Sequence, residues 1–141
     1  MTGRVFRTDV EVFTFDIDFA DHVSNITYIR WLEMARVRFL DAVGLPIDDL
    51  VASGIAPIIA GTDISYLRPI RLREPVQVEL WLSELRAASA TMRFDMRAGS
   101  DRQIAARASQ RGLFVRLESG RPARMPAETR TALMDYRLDR D

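Results

Sequence analysis

The spacing of apolar residues changes once along this chain, and this change restricts the folds that the chain can adopt. Over residues 25–43 apolar side chains recur every three or four positions, which predicts one long amphipathic helix. Ser24 or Asn25 can cap its start, and Gly44 stands where a left-handed residue ends many helices. Over residues 57–117 apolar residues mostly alternate with polar ones, which predicts strands.

The predicted elements place one long helix opposite five strands. A strand over residues 4–15 precedes the helix, and mostly short turns separate the later strands. Because short connections favour antiparallel neighbours, we predict a two-layer α+β domain whose helix covers the apolar face of an antiparallel sheet. The later strands are predicted at residues 58–66, 76–83, 89–96 and 103–117, and short helices at 47–52 and 126–138.

Composition excludes several kinds of function. The 141 residues suffice for a single domain, with a core at about 4–118 and a tail at 119–141. Arginine supplies every basic residue, so there is no lysine for Schiff-base chemistry, and no cysteine offers a thiol nucleophile. His22 alone cannot complete the usual zinc ligands, so we predict no metal site. The balance of 20 basic and 20 acidic residues argues against nucleic acid as a partner. Without a visible signal peptide or an apolar stretch of bilayer length, we expect a cytoplasmic protein with no membrane partner.

An acidic turn, residues 16–22 (DIDFADH), stands directly before the long helix. Aspartates are common in turns and caps, which is one interpretation of Asp16, Asp18 and Asp21. The other interpretation is chemical, because a carboxylate in such a place can act as a general base or a nucleophile. The first N–H groups of the helix have no helical partner and lie at its positive end, so they suit an oxyanion.

These residues resemble the signature of the 4-hydroxybenzoyl-CoA thioesterase family, D-x-D-x-x-G-H-V-N-N-x-x-Y followed by an aromatic residue, an apolar residue, E and A-R. A second segment, residues 63–71 (DISYLRPIR), is similar to the family's D-Y-L-R-P segment, and the resemblance covers residues 5–117. Asp21 stands where the family usually has Gly, and Ser24 where it has the first Asn. The residues that match the signature are 16–25 (DIDFADHVSN), Tyr28, 31–33 (WLE) and 35–36 (AR).

The resemblance implies a hotdog fold, in which a curled antiparallel sheet wraps the long helix, and it implies acyl-CoA thioesterase activity. It also implies a homodimer or homotetramer whose sheets pair edge to edge, with active sites between subunits and no cofactor beyond the CoA of the substrate. By position in the motif, Asp18 is the catalytic carboxylate. The Asn25 N–H is the first oxyanion donor, with Ser24 next, and His22 joins catalysis or supports the turn and pocket.

Substrate-binding residues are expected on the helix and just after the strand that follows it. Tyr28 lines the acyl pocket or packs in the core, and Glu33 faces the site or pairs with a neighbouring arginine on the helix. Arg68 and Arg71 hold the CoA phosphates or form a solvated surface cluster. The alternatives to an acyl-CoA thioesterase are an acyl-carrier-protein thioesterase, a hotdog dehydratase, which a single histidine matches poorly, and a non-catalytic acyl-CoA-binding protein.

Overall fold

The computed structural model describes residues 3–140, and within them the chain forms three α-helices and one antiparallel sheet. No helix in this part of the chain combines the length and the apolar character needed to cross a membrane. The elements are β1 (Phe6–Val10), α1 (Asn25–Ala42), α2 (Ile47–Ala52), β2 (Ile55–Tyr66), β3 (Val76–Leu85), β4 (Ser89–Ala98), β5 (Gln103–Arg116) and α3 (Ala127–Met134). The strands lie side by side in the order β1-β3-β4-β5-β2.

The structure confirms most of the predicted elements and corrects the first strand and the last helix, which was predicted over residues 126–138 and spans Ala127–Met134. α1, α2 and the four later strands end within three residues of their predicted bounds. Gly44 has a φ of 80°, the left-handed conformation predicted at the end of α1. The first strand, predicted to reach residue 15, ends at Val10. Thr14–Asp16 form a short 3-10 turn instead, because the Phe13 N–H donates to the Asp16 carboxylate at 2.9 Å and the chain leaves the sheet.

One face of α1 is buried and fixes the position of the helix on the sheet. Its buried side chains join the inward-facing side chains of β3 and β4 in a single hydrophobic core. Full burial of one side chain such as Leu32 contributes about 1.5–3 kcal/mol, so several of them together determine where the helix lies. The predicted hotdog arrangement, with a curled antiparallel sheet around one long helix, is confirmed.

The two edges of the sheet differ in length and in protection. β1 has five residues, two of them charged, and the segment after α3 continues beside β3, where the Leu138 N–H donates to the Leu82 carbonyl at 2.9 Å. β2 has 12 residues, and Asp63 is its one charged side chain. Within residues 3–140, β2 pairs on one side alone. A long, nearly uncharged edge of this kind favours pairing with another strand.

Candidate active site

The acidic turn is a closed loop held by its own backbone. The Asp18 N–H donates to the His22 carbonyl at 3.0 Å, and the Asp21 N–H donates to the Asp18 carbonyl at 3.1 Å. The Asp18 carboxylate accepts the Ala20 N–H at 2.8 Å through Oδ1. Asp21 has a φ of 66°, the left-handed region that glycine adopts most easily and that aspartate tolerates better than most residues. The turn therefore keeps its geometry with Asp in place of the usual Gly.

Asp16 attaches this turn to α1. Its side chain is 5% exposed, and Oδ2 accepts the Phe13 N–H at 2.9 Å, while the Thr27 hydroxyl donates to Oδ1 at 3.4 Å. Its carbonyl accepts the Ser24 N–H at 2.8 Å. Both carboxylate oxygens of Asp16 are thus in use, so this residue has the turn-building role that aspartates often have.

The start of α1 offers an amide without a partner. Ser24 is the N-cap, as predicted, and its hydroxyl accepts the Ile26 N–H at 3.3 Å. Its carbonyl accepts the Thr27 N–H at 2.9 Å. Among residues 3–140, none accepts a hydrogen bond from the Asn25 N–H. The Tyr66 hydroxyl donates to the Asn25 carbonyl at 3.4 Å, which ties the end of β2 to the start of the helix. The Asn25 N–H therefore has the position and the freedom that an oxyanion donor requires.

Two tyrosines pack together where the end of β2 meets the first turn of α1. Tyr28 is buried, and its ring lies edge-on to Tyr66, with ring centroids 4.9 Å apart. Burial raises the pKa of Tyr28 to about 12, with further contributions from Tyr66 and Glu74 and a smaller one from Asp18. Tyr28 consequently keeps its proton at neutral pH. Tyr28 belongs to the hydrophobic core, as one of its two predicted roles requires, and its role in lining an acyl pocket stays a prediction.

His22 is half-buried, and its ring does not bond to the carboxylate of Asp18. Its Nδ1 lies 3.4 Å from the Val23 carbonyl, which is a long contact, and the ring has no other polar partner among the described residues. This placement favours support of the turn over proton transfer. Catalysis by His22 stays a prediction.

Exposed aromatic and aliphatic side chains surround the turn, and sequence reasoning did not single them out. Phe13 and Phe15 stack with ring centroids 5.3 Å apart, and Phe19 is fully exposed at the tip of the turn. Ile26 and Leu67, at the start of α1 and after β2, are also more than half exposed. Apolar surface of this kind is typical of binding sites and subunit interfaces. The signal in the sequence is that three phenylalanines, at positions 13, 15 and 19, stand close together just before and within the acidic turn.

Glu33 lies away from the turn, at a cavity beside the second half of α1. The cavity has a volume of about 230 Å³ and lies between α1 and the β2, β4 and β5 strands. Glu33 is exposed and makes no ion pair within 4 Å among the described residues, so the predicted pairing with a neighbouring arginine is wrong. Arg36, one turn further on, also lines the cavity and donates through Nη1 to Gln110 Oε1 at 2.7 Å. None of Asp18, His22 or Asn25 lines this cavity.

Arg68 and Arg71 lie in the loop between β2 and β3, and neither lines the cavity. The Arg68 guanidinium pairs with the Asp101 carboxylate at 2.8 Å and donates to the Ala98 carbonyl, so it holds the turn between β4 and β5. This hydrogen bond to Asp101 raises the pKa of Arg68 further above its usual range. Arg71 is exposed, and its backbone N–H donates to the Glu74 carboxylate at 2.9 Å. Phosphate binding stays a prediction for both, with more unused donors on Arg71.

Metal ligands do not gather anywhere in residues 3–140, where no group of three or more histidine and acidic side chains is placed to hold an ion. The polar groups at the candidate site are a carboxylate, an imidazole, a phenol and backbone amides. Such groups serve proton transfer and oxyanion stabilisation.

Known proteins match this chain over most of its length. Residues 12–133 match the model of the Thioesterase-like superfamily. The "Putative esterase sll0410" of Synechocystis sp. is 31% identical over 85 residues, which are 60% of this chain and 51% of that protein. The chain thus spans about half the length of this curated relative.

Solved structures share the fold at lower sequence identity. A 1,4-dihydroxy-2-naphthoyl-CoA thioesterase from Synechocystis superposes with a TM-score of 0.86 at 20% identity, covering 94% of this chain and 97% of that one. A Staphylococcus aureus protein in complex with CoA superposes with a TM-score of 0.89 at 16% identity, covering 96% of this chain and 85% of that one. Likeness at these identities describes the hotdog fold, whereas the family model covers the sequence itself from residue 12 to residue 133. This chain belongs to the Thioesterase-like superfamily.

Proposed function

We propose that this protein hydrolyses acyl-CoA thioesters to the free acid and CoA, with Asp18 as general base or nucleophile. The observation that carries the proposal is the placement of Asp18 in a closed turn directly before α1, whose first amide, that of Asn25, has no partner among the described residues. The likeness of residues 16–25 to the 4-hydroxybenzoyl-CoA thioesterase signature supports the same assignment. The CoA in the related S. aureus structure supports CoA as the thiol.

In the general-base route, the Asp18 carboxylate takes a proton from water as the water oxygen bonds to the thioester carbon. Negative charge then develops on the carbonyl oxygen, which the Asn25 N–H and the positive end of α1 stabilise. Collapse of this intermediate breaks the C–S bond, and the sulfur leaves as a thiolate that recovers the proton from Asp18. In the nucleophilic route, Asp18 bonds to the carbonyl carbon itself, the thiolate leaves, and water hydrolyses the resulting anhydride.

One carboxylate oxygen of Asp18 is suited to either route. Oδ1 accepts the Ala20 N–H, but no donor among the described residues reaches Oδ2. Oδ2 can therefore accept a proton or attack carbon while Oδ1 keeps the side chain in position. The Asp18 carboxylate therefore suits catalysis, because Oδ1 fixes the position of the side chain and Oδ2 stays available to react.

The proposal includes a second copy of the chain, paired along the exposed edge of β2. This edge is long and nearly uncharged, and it ends at Tyr66, which touches the start of α1. A subunit added there would cover the exposed Ile26 and Phe15 side chains near the turn. A dimer would in this way exclude water from the acyl site, which strengthens the electrostatic stabilisation of an oxyanion.

Release of free CoA thiol from a panel of acyl-CoAs tests the activity. We expect Asp18→Asn to lower kcat by about 10²–10⁴ without changing the fold, because it removes the proton acceptor and keeps the side-chain shape. Asp21→Asn is the matched control, since it removes the same charge from the same turn and asparagine also tolerates positive φ. That control should keep its rate within a few-fold.

Two results would contradict the assignment. Full activity in Asp18→Asn removes the catalytic role of that carboxylate, and equal losses in both variants reduce the effect to the charge of the turn. A panel in which acyl-CoAs are inert but acyl-carrier-protein thioesters are cleaved would move the proposal to the carrier-protein substrates. Incorporation of ¹⁸O from labelled water into the Asp18 carboxylate identifies the nucleophilic route.

A further inference from the structure

A polar bridge crosses from α1 to β2 beside the cavity described above. Arg36 Nη1 donates to Gln110 Oε1 at 2.7 Å, and Gln110 Nε2 donates to the Thr62 hydroxyl at 3.1 Å. Gln110 is 2% exposed, so both ends of its amide are fixed inside the protein. A guanidinium that is held by a buried partner is positioned before any ligand arrives, and less entropy is lost when it binds one.

Most hydrogen-bonding capacity of Arg36 is unused. A guanidinium has five N–H donors, and among residues 3–140 the single acceptor is Gln110. The side chain forms no ion pair within 4 Å of any described carboxylate. It lines a cavity whose other walls are mainly apolar, including Ile59, Met92 and Phe114. Burial lowers the pKa of Arg36, and Glu33 offsets only part of that change. The cavity therefore presents a poorly solvated positive charge that lacks a close counter-ion.

One face of α1 runs from the start of the helix, directly after the candidate catalytic turn, to the cavity. Asn25, Ile29 and Glu33 are four residues apart, so they share one helix face, and Arg36 lies on the next turn of that face. Eleven residues separate Asn25 from Arg36, a rise of about 16 Å along the helix. The arginine side chain leans back toward the helix N-terminus, which shortens the gap by several ångström. An extended chain advances about 3.3–3.6 Å for every three bonds, so about eight carbons and one hydrogen bond of about 3 Å span a remainder of about 11 Å.

We propose that the cavity takes the distal end of the substrate's acyl group and that Arg36 binds a carboxylate there, so that the preferred substrates are ω-carboxyacyl thioesters of about eight carbons. This inference rests on the proposed function, because the thioester end is cleaved at Asp18. The ligand must be an acceptor, since every unused group on Arg36 is a donor. An anion suits the site better than a neutral acceptor, because a carboxylate forms paired, charge-assisted bonds with a guanidinium. Glu33 is exposed, so water screens its repulsion.

The test compares two thioesters of equal length, octanedioyl-CoA and octanoyl-CoA. The wild-type protein should cleave octanedioyl-CoA with a kcat/KM about tenfold or more above that of octanoyl-CoA. Arg36→Met should abolish or reverse this ratio, while Glu33→Gln should increase it a few-fold by removing a like charge. Binding of free octanedioate and octanoate, measured by calorimetry on the same variants, gives a readout that does not need turnover.

Controls separate recognition from folding. Arg36→Met leaves the buried Gln110 oxygen without a donor, so the double variant Arg36→Met/Gln110→Leu removes both partners and the cost of an unpaired group. Arg36→Lys keeps the charge without the fork of donors, and we expect an intermediate ratio. A wild-type preference for octanoyl-CoA, or a preference for octanedioyl-CoA that survives in the single and double variants, would overturn the inference.

The two proposals fail in different ways. If benzoyl-CoA or octanoyl-CoA is cleaved in an Asp18-dependent manner but octanedioate neither binds nor is preferred, thioester hydrolysis stands and carboxylate recognition falls. If no thioester is cleaved but octanedioate binds about tenfold more tightly than octanoate and only with Arg36 present, the carboxylate site stands and the proposed function falls.

Discussion

Asp16 and Asp18 lie two residues apart in the same turn, and the structure gives them separable roles. Asp16 is buried and bonds through both oxygens to Phe13 and Thr27, whereas Asp18 is half-exposed with one free oxygen. We predict that Asp16→Ala lowers stability and that Asp18→Asn lowers activity at nearly unchanged stability. The comparison tests whether the first aspartate of the motif is structural and the second chemical.

The size of the Asp16 effect follows from its two bonds. The bond from the Phe13 N–H is 2.9 Å long and charge-assisted, and such bonds contribute about 1.5–3 kcal/mol. The contact from the Thr27 hydroxyl is 3.4 Å long, so it adds little. Asp16→Ala should therefore destabilise the protein by about 2 kcal/mol, which is a fall in Tm of about 6–8 °C for a chain of this length. Asp16→Asn can still accept the Phe13 N–H through its one amide oxygen, while its NH2 group can donate to the Thr27 hydroxyl in the reverse direction, and it should cost about 1 kcal/mol.

Thermal unfolding followed by circular dichroism, with urea titration of the same samples, measures these differences. The order of stability should be wild type and Asp18→Asn together, then Asp16→Asn, then Asp16→Ala. At a temperature where all four proteins are folded, Asp16→Asn should keep much of its thioesterase rate and Asp18→Asn should not. A Tm of Asp16→Ala within about 1 °C of wild type would refute the reasoning, as would a loss of stability in Asp18→Asn as large as that in Asp16→Ala.

Two further predictions concern the sheet. Burial acts to raise the pKa of Glu79, but hydrogen bonds from Arg97 and Arg140 outweigh burial, so the pKa is lowered overall. The ionised Glu79 side chain therefore stabilises the fold fully above the ordinary glutamate pKa, and this stabilisation is lost as the pH falls through the lowered pKa of the folded state. Glu79→Gln should cost about 2 kcal/mol at pH 7 and show a smaller loss between pH 5 and pH 3 than the wild type, by urea unfolding at each pH. The double variant Ala60→Lys/Ser65→Lys places two positive charges on the edge strand β2, and such charges oppose pairing with another strand. Sedimentation should then show a shift from dimer to monomer, with a parallel loss of thioesterase activity. A fully active monomer would contradict an active site between subunits.

Local patterns predicted most of the fold because each element buries one face. This burial produces the apolar spacing of α1 and the alternation in β2 to β5, so the sequence predicted the bounds of these elements to within a few residues. β1 was overestimated, since its apolar alternation continues past Val10 into a segment that a single carboxylate bond turns away. A turn that depends on one side chain has no periodic signature.

The outer face of the sheet shows what local patterns omit. Glu79 and Asp95 are each 3% exposed, although they point away from the helix, because long arginine side chains cover them. Arg140, from the end of the chain, reaches Glu79 at 2.9 Å and lies over Trp81. Burial raises the pKa of Asp95 against the effect of these arginines. Contacts between residues about 60 positions apart, such as that of Arg140 with Glu79, do not affect the local spacing of apolar residues, so the packing of the C-terminal segment against the sheet could not be predicted.

The candidate site was predicted in part for the same reason. The motif positions placed Asp18 and Asn25 together, and the structure brings both to the start of α1. Arg68, by contrast, was grouped with Arg71 from neighbourhood in sequence, and its guanidinium instead holds the Asp101 turn. The use of an arginine depends on which acceptor lies within its reach, and only the three-dimensional structure determines that.

The three aspartates of the turn are chemically identical, but they differ in the hydrogen bonds that their side chains form. Asp16 uses both oxygens in holding the turn to α1, and Asp21 occupies a position of positive φ on the exposed side. Asp18 has one oxygen fixed by the Ala20 amide and one without a donor among residues 3–140. A base needs a lone pair that no protein donor occupies, and it needs a fixed direction, so of the three aspartates Asp18 alone meets both conditions.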